Sequence, residues 1–209
     1  MALRIVNQFG ESVASAVRDA FPDADVVPVT VDGPAPGLTA DVLYGGWGDW
    51  STIGRWAELV PWVQLAGTGV DRVPAQLFDG RVVTCARGAS AVPISEFVLA
   101  AMLAFEKQIP EVWVKAPPEH WNLAWLGTLH DRTLGLVGLG GIGVAVAERA
   151  LAFGMRILAL RRTESPSPVA GVEVVGSLAD LLPQVDHLVL AAPATARTRG
   201  LIDADAWRS

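Results

Sequence analysis

The residues best suited to chemistry form a short glycine-rich run in the second half of the chain. Gly138, Gly140 and Gly143 fit the pattern GxGxxG, with Gly141 and Ile142 completing the run. Between a strand and a helix, the first glycine permits a tight turn, the second lets a diphosphate approach the backbone, and the third allows close packing. The run therefore predicts a local anion site, where the amides and dipole of a helix N-terminus attract phosphate.

The flanking sequence supplies the strand and the helix that such a site requires. Residues 133–138 are apolar, as in a buried parallel strand, and residues 141–153 are typical of a helix. A GxGxxG run alone is a weak signal, because glycine-rich turns that bind nothing are common. The strand, turn and helix together favour dinucleotide binding over a turn that is only structural.

Basic residues stand where a dinucleotide fold usually has an acidic one. That acidic residue, about 20 positions after the glycines, accepts hydrogen bonds from the ribose hydroxyls. Here the predicted second strand ends at Arg161, Arg162 and Thr163. Guanidinium groups bind phosphate in a bidentate manner, whereas a carboxylate repels it. The pattern predicts a preference for NADP, with NAD possible; the alternative is that both arginines are ordinary surface charges.

Composition and charge exclude several classes of protein. The chain is 51% hydrophobic and 18% charged, which excludes a disordered chain, a coiled coil and a collagen. Its formal charge of -6 offers no general attraction for nucleic acid or for an anionic membrane, so an anion site must be local. We expect no transmembrane helix and no secretory leader, and hence a cytoplasmic protein.

Short β-branched runs alternate with amphipathic stretches, which predicts an α/β fold with parallel strands and crossover helices. Residues 1–95 predict one small α/β unit, and residues 133–209 predict a second. Residues 96–132 hold a predicted helix and then a segment rich in proline and tryptophan. Those tryptophans must be covered, either by the chain's own second domain or by a second subunit in a homodimer, and both alternatives remain open.

Several stretches together resemble the D-isomer-specific 2-hydroxyacid dehydrogenase family, particularly its glyoxylate and hydroxypyruvate reductase members. The stretches that carry the resemblance are residues 66–71, 95–96, 133–143, 152–156, 177–182, 192–193 and 195–202, together with Asp186. The resemblance implies a flavodoxin-like substrate domain over 1–95 and a linking segment over 96–132. It also implies a Rossmann NAD(P)-binding domain over 133–209 that is incomplete at its C-terminus, with Pro193 among the residues near the cofactor.

The resemblance also implies a substrate site in the first domain. Family members hold the substrate carboxylate on backbone amides of a loop that matches Thr68 and Gly69 here. The physical chemistry agrees, because a glycine-containing loop after a strand end exposes amide donors to an anion. Trp47, after another predicted strand, is a candidate wall of the same site; the alternative is an ordinary core tryptophan.

No catalytic residue is assigned. The family's catalytic arginine, acidic residue and histidine find no counterpart in these 209 residues. His120, His130 and His187 are interpreted as surface or packing histidines. Cys85, the only cysteine, is interpreted as a buried strand thiol.

The expected function is NAD(P)-dependent reduction of a small 2-oxo acid such as glyoxylate or hydroxypyruvate, or oxidation of the matching 2-hydroxy acid. Hydride transfer needs a proton donor and a positive group at the developing alkoxide, so we expect little or no turnover from these 209 residues alone. The alternative is a non-catalytic module that binds a dinucleotide or another protein.

Overall fold

Two parallel β-sheets organise the chain, one in the unit Met1–Arg87 and the other in the unit Gly88–Ser209. The computed structural model describes residues 2–46, 48–113, 115–117, 124–163, 165–204 and 206. Within these ranges every strand pair is parallel. The predicted α/β class is confirmed.

The first unit has the strand order β2-β1-β3-β4-β5. Its strands are β1 Arg4–Asn7, β2 Asp25–Pro28, β3 Val42–Gly45, β4 Trp62–Leu65 and β5 Val82–Cys85. Its helices are α1 Gly10–Ala20 and α2 Trp50–Ala57, and a 3-10 turn is present at Ala75–Phe78. This order is that of flavodoxin-like sheets, as the family resemblance implied.

The core of the first unit lies between the central strands and α2. Val6, Leu43 and Val63, one from each of three adjacent strands, are completely buried and pack with Ile53 and Trp56 of α2. Buried parallel strands carry nearly continuous runs of apolar residues, and such runs allow strands to be predicted from sequence.

Asp49 caps the N-terminus of α2. Its carboxylate accepts hydrogen bonds from the hydroxyl and the amide of Ser51 and from the hydroxyl of Thr52. These bonds, led by the Ser51 hydroxyl, lower the pKa of Asp49 to about 2. The ionised cap fixes where α2 begins.

The second unit has the strand order β8-β7-β6-β9. Its strands are β6 Thr133–Val137, β7 Arg156–Leu160, β8 Val172–Val175 and β9 His187–Leu190. Its helices are α3 Ala91–Glu106, α4 Gly141–Ala152 and α5 Leu178–Leu181, which continues as a 3-10 turn at Leu182–Gln184. The order 3-2-1-4 within the unit is that of the first four strands of a Rossmann sheet.

The helix α3 belongs to the second unit, whereas sequence reasoning ended the first domain at residue 95 and assigned residues 96–132 to a linking segment. Leu99 and Met102 of α3 are buried in one core with Val146 and Ala150 of α4. The small side chains of α4 let the two helices approach closely, and this packing places the unit boundary between Arg87 and Gly88.

Within the described residues, no helix has both the length and the apolar content needed to cross a bilayer.

The histidines of the described residues lie on the amino-terminal side of the second sheet. His187 begins β9, and its Nε2 lies 2.9 Å from Oε1 of Glu106, with the two side chains only 11% and 10% exposed. It is therefore a packing histidine. His130 precedes β6 and is exposed, and His120 lies outside the described residues. Cys85 is half-buried at the end of β5 and packs on the first unit's core.

Asp186 joins the amino-terminal ends of β6 and β9. Its Oδ2 accepts a hydrogen bond of 2.8 Å from the Thr133 amide, and its Oδ1 accepts one of 2.9 Å from Arg132. The Thr133 amide, more than Arg132, lowers the pKa of Asp186, although partial burial opposes this effect. The ionised carboxylate therefore stabilises the start of the sheet.

We expect Asp186→Asn to lower the free energy of unfolding by about 1 kcal/mol near neutral pH, a value kept small because the carboxylate is partly exposed. Since folding lowers this pKa, the contribution is present above the unfolded-state pKa of about 3.9 and is lost as pH falls through the folded-state value. Denaturant unfolding at neutral and at acidic pH measures this.

Glu173→Gln is the matched control, because Glu173 forms an exposed ion pair with Arg156 and should change stability very little. An Asp186→Asn effect that is equally large at both pH values would contradict the assigned role of the ionised carboxylate.

Candidate functional site

The glycine-rich turn lies at the carboxyl end of β6 and leads into α4. Gly138 has a φ of +102°, and its amide donates a 2.9 Å hydrogen bond to the carbonyl of Leu160 in β7. A Cβ on Gly138 would lie 2.8 Å from the backbone nitrogen of Ala192, and a Cβ on Gly143 would overlap the carbonyl oxygen of Gly138. Both positions therefore require glycine for backbone packing.

Gly140 has a different environment. It precedes α4 in an extended conformation, with φ -87° and ψ -164°, and a Cβ placed there would have no neighbouring atom within 4 Å. No side chain caps α4, and the amides of Gly141, Ile142 and Gly143 are in its first turn, where no preceding helical carbonyl can accept from them. The helix therefore begins with amide donors next to open space, an arrangement suited to an anion.

The turn stands where the strand order changes direction. From β6 the chain proceeds to β7 on one side and later returns to β9 on the other, and ligands of open α/β sheets bind at the carboxyl ends of such a strand pair. The Ala191 amide donates to Val137 with a 2.9 Å bond, which holds the end of β9 beside the turn.

Pro193, which the family resemblance places near the cofactor, lies in the loop that follows β9. The hydroxyl of Thr198 donates a 2.6 Å hydrogen bond to the carbonyl of Pro193 and accepts one of 2.9 Å from the Thr195 amide. Val137, Leu190 and Pro193 contribute to the wall of a mainly apolar recess of about 310 Å³. The threonines, three residues apart, fix the loop that bounds this recess.

The two arginines after β7 have different surroundings, although sequence reasoning treated them as a pair. Arg161 is half-buried, and its Nη1 donates to the carbonyls of Ser165, at 3.1 Å, and Pro166. Arg162 and Thr163 are exposed. Because β7 lies beside β6 in a parallel sheet, this basic segment is at the same edge as the glycine turn.

The predicted substrate loop follows β4 in the first unit. The hydroxyl of Thr68 donates a 3.2 Å hydrogen bond to the carbonyl of Ala86, and the Ala86 amide donates one of 3.1 Å to Gly67. Thr68 and Gly69 are exposed. A Cβ on Gly69 would lie 2.9 Å from Oδ1 of Asp71, so a carboxylate stands beside the predicted anion site. Trp47 lies outside the described residues.

Sequence reasoning missed residues that flank both sites. In the first unit, the Gly46 amide donates a 2.8 Å hydrogen bond to Oε1 of Gln8, which joins the carboxyl ends of β1 and β3. In the second unit, a Cβ on Gly141 would lie 3.7 Å from the Cα of Gly88, so the segment before α3 borders the glycine turn. The roles of Gln8 and Gly88 depend on contacts between segments that are distant in the chain. Neither residue can therefore be predicted from local sequence.

Comparison with known proteins identifies a family. Residues 99–208 match the model of the D-isomer specific 2-hydroxyacid dehydrogenase, NAD binding domain. A D-3-phosphoglycerate dehydrogenase of Methanocaldococcus jannaschii is 31% identical over 96% of this chain and 38% of its own length. A hydroxypyruvate reductase of Thermotoga maritima is 32% identical over 88% of this chain and 56% of its own length. The chain thus spans about two fifths to a little over half of these curated relatives.

A solved structure shows the same fold. The NADPH-dependent glyoxylate/hydroxypyruvate reductase from Sinorhizobium meliloti, in complex with NADP and sulfate, has a TM-score of 0.80 and 23% identity, covering 99% of this chain and 67% of that one. The family model spans more than half of this chain and includes the glycine turn, β7 and the loop after β9. The chain therefore belongs to the D-isomer specific 2-hydroxyacid dehydrogenase family.

Proposed function

We propose that this chain binds a nicotinamide dinucleotide in its second unit and a small 2-oxo acid in its first, as an NADP-preferring 2-hydroxyacid dehydrogenase does. The observation that carries the proposal is the open, uncapped N-terminus of α4 at the point where the strand order changes. When bound, the dinucleotide supplies the hydride. The protein's part is to hold the two molecules.

The glycine turn fits a dinucleotide for steric and electrostatic reasons. Gly138 and Gly143 bring β6, α4 and the end of β9 within backbone contact, while Gly140 leaves room for a diphosphate beside the first-turn amides. The chain carries a formal charge of -6, so these amides and the helix dipole provide a local attraction that the whole protein lacks. Ile142 and Pro193 would flank the bound cofactor.

The preference for NADP rests on the basic segment after β7. In the proposed complex Arg162 and Thr163, which are exposed, contact the additional phosphate, and Arg161 fixes the loop through its two carbonyl contacts. The similar reductase from Sinorhizobium meliloti was solved in complex with NADP, which is consistent with a preference for NADP here.

For the substrate we propose glyoxylate or hydroxypyruvate, with the carboxylate on the amides near Thr68 and Gly69. Curated relatives include both a hydroxypyruvate reductase and a D-3-phosphoglycerate dehydrogenase. The Asp71 carboxylate beside Gly69 repels every anionic group of a substrate, so a substrate with a single negative charge is favoured over one that also has a phosphate.

We further propose that these residues alone bind the ligands without efficient turnover. Of the histidines that the structure describes, His187 is bonded to Glu106 at the beginning of β9, and His130 precedes β6. Both are at the amino end of the parallel strands, opposite the glycine turn. Neither is placed to donate a proton to a reacting oxygen there.

We expect Gly140→Ala to leave folding nearly unchanged and to weaken NADPH binding at least about tenfold, because the methyl group enters the space proposed for the diphosphate. Gly143→Ala should lower both stability and binding, since its methyl group overlaps a backbone carbonyl. Thermal unfolding and fluorescence titration with NADPH measure the two effects. Unchanged NADPH affinity in folded Gly140→Ala would refute the proposed site.

We expect Arg162→Gln to weaken NADPH binding roughly tenfold and to change NADH binding little, since only NADPH has the additional phosphate. Arg161→Asp should also weaken NADPH selectively, with some loss of loop order. Arg156→Gln is the control, because Arg156 begins β7 and pairs with Glu173. Equal losses for both nucleotides in Arg162→Gln would exclude phosphate recognition by this residue.

We also propose that the chain forms a homodimer through α3. Phe97 and Phe105 are 73% and 76% exposed, and Ala101 lies halfway between them on the same side of the helix. In an antiparallel pair of α3 helices, Phe97 of one copy would contact Phe105 of the other, with Ala101 near the two-fold axis. Trp125, which is 98% exposed, lies near the end of α3, since its carbonyl accepts a 3.1 Å hydrogen bond from Nε2 of Gln108, and Trp121 lies outside the described residues.

We expect Phe97→Asp to raise the dimer dissociation constant about 100-fold, since two symmetry-related aromatic contacts of about 1.4 kcal/mol each are lost. Sedimentation velocity over a dilution series measures the association. Phe21→Asp, on the first unit and 58% exposed, is the control. A wild-type chain that is monomeric at all concentrations would refute the homodimer.

A further inference from the structure

A second candidate binding site lies on the outer side of α2 in the first unit. This helix and the segment of residues 74–81 enclose a groove of about 390 Å³. Its lining includes the apolar residues Trp50, Pro74 and Leu77 and the two arginines Arg55 and Arg81. Neither Thr68 nor Gly69 is among its lining residues, so the groove is distinct from the proposed substrate loop.

Both guanidinium groups are held in place by backbone carbonyls. Arg55 donates through Nη2 to Val31, at 2.7 Å. Arg81 donates through Nε to Ala57, the last residue of α2, at 2.9 Å. An arginine that is already fixed loses less side-chain entropy when it binds a ligand.

The charge of these arginines is not neutralised by direct pairing. Within the described ranges, neither Arg55 nor Arg81 forms an ion pair with a carboxylate. Their hydrogen bonds use Nη1 and Nη2 of Arg55 and Nε and Nη1 of Arg81, which leaves Nε of Arg55 and Nη2 of Arg81 as donors. Glu58 is the only carboxylate among the residues that line the groove.

We propose that this groove binds a small organic dianion, with its oxyanion group on Arg55 and Arg81 and its carbon skeleton on Trp50 and Leu77. Guanidinium groups prefer planar or multidentate oxyanions, and the volume is sufficient for a metabolite-sized ligand. Glu58 opposes binding and limits the affinity. The site neither uses nor requires the proposed dinucleotide site.

The test is a titration of the whole chain followed by the indole N–H resonance of Trp50, identified by its loss in Trp50→Phe. The probes are glycerol phosphate and succinate, with uncharged glycerol as reference, at constant ionic strength. We expect both dianions, and not glycerol, to shift this resonance in a saturable manner. A shift with only one dianion assigns the groove to phosphate or to carboxylate ligands, and no shift with either overturns the proposal.

Two variants then locate the charge, and a third is their control. Arg55→Gln should weaken binding roughly fivefold, and Glu58→Gln should strengthen it about threefold, because each changes one charge in the groove. Arg18→Gln is the control, since Arg18 pairs with Glu11 on α1. Arg81→Gln also removes a contact with the end of α2, so Arg55→Gln and Glu58→Gln decide the outcome. Unchanged affinity in both of them overturns the proposal.

Discussion

The second unit depends on a backbone contact that no side chain can enter. At Gly138 the turn after β6 meets the backbone of Ala191 and Ala192, and at Gly143 the first turn of α4 meets the carbonyl of Gly138. One pair of glycines thus brings two strands and a helix together. The N-terminus of α4 consequently opens at the sheet edge where the strand order reverses, with its amides beside free space.

This geometry accounts for how an acidic protein could bind the proposed anionic ligands. Every proposed anion contact uses a local group: a backbone amide, a guanidinium group or, at Thr163, a hydroxyl. Backbone carbonyls hold the guanidinium groups of Arg55 and Arg81 in the first unit, and that of Arg161, which fixes the loop beside Arg162, in the second. Carboxylates such as Asp71 and Glu58 stand beside two of the sites, so we expect them to limit which anions bind.

Local sequence predicted the elements well because buried parallel strands are continuous apolar runs. The strand predicted at 133–138 and the helix predicted at 141–153 are present as β6 and α4, each one residue shorter, and the turn between them follows the glycine spacing. Long-range features could not be predicted in the same way. The packing of α3 on α4, the Gln8 contact and the Glu106–His187 pair join residues that are distant in sequence. The contacts of Arg161 depend on the loop that follows it.

The most direct test is a crystal structure of the chain with NADPH. We expect density for the diphosphate over the amides of Gly141 and Ile142, with the additional phosphate beside Arg162. A diphosphate bound elsewhere, or no NADPH in crystals grown at saturating concentration, would contradict it.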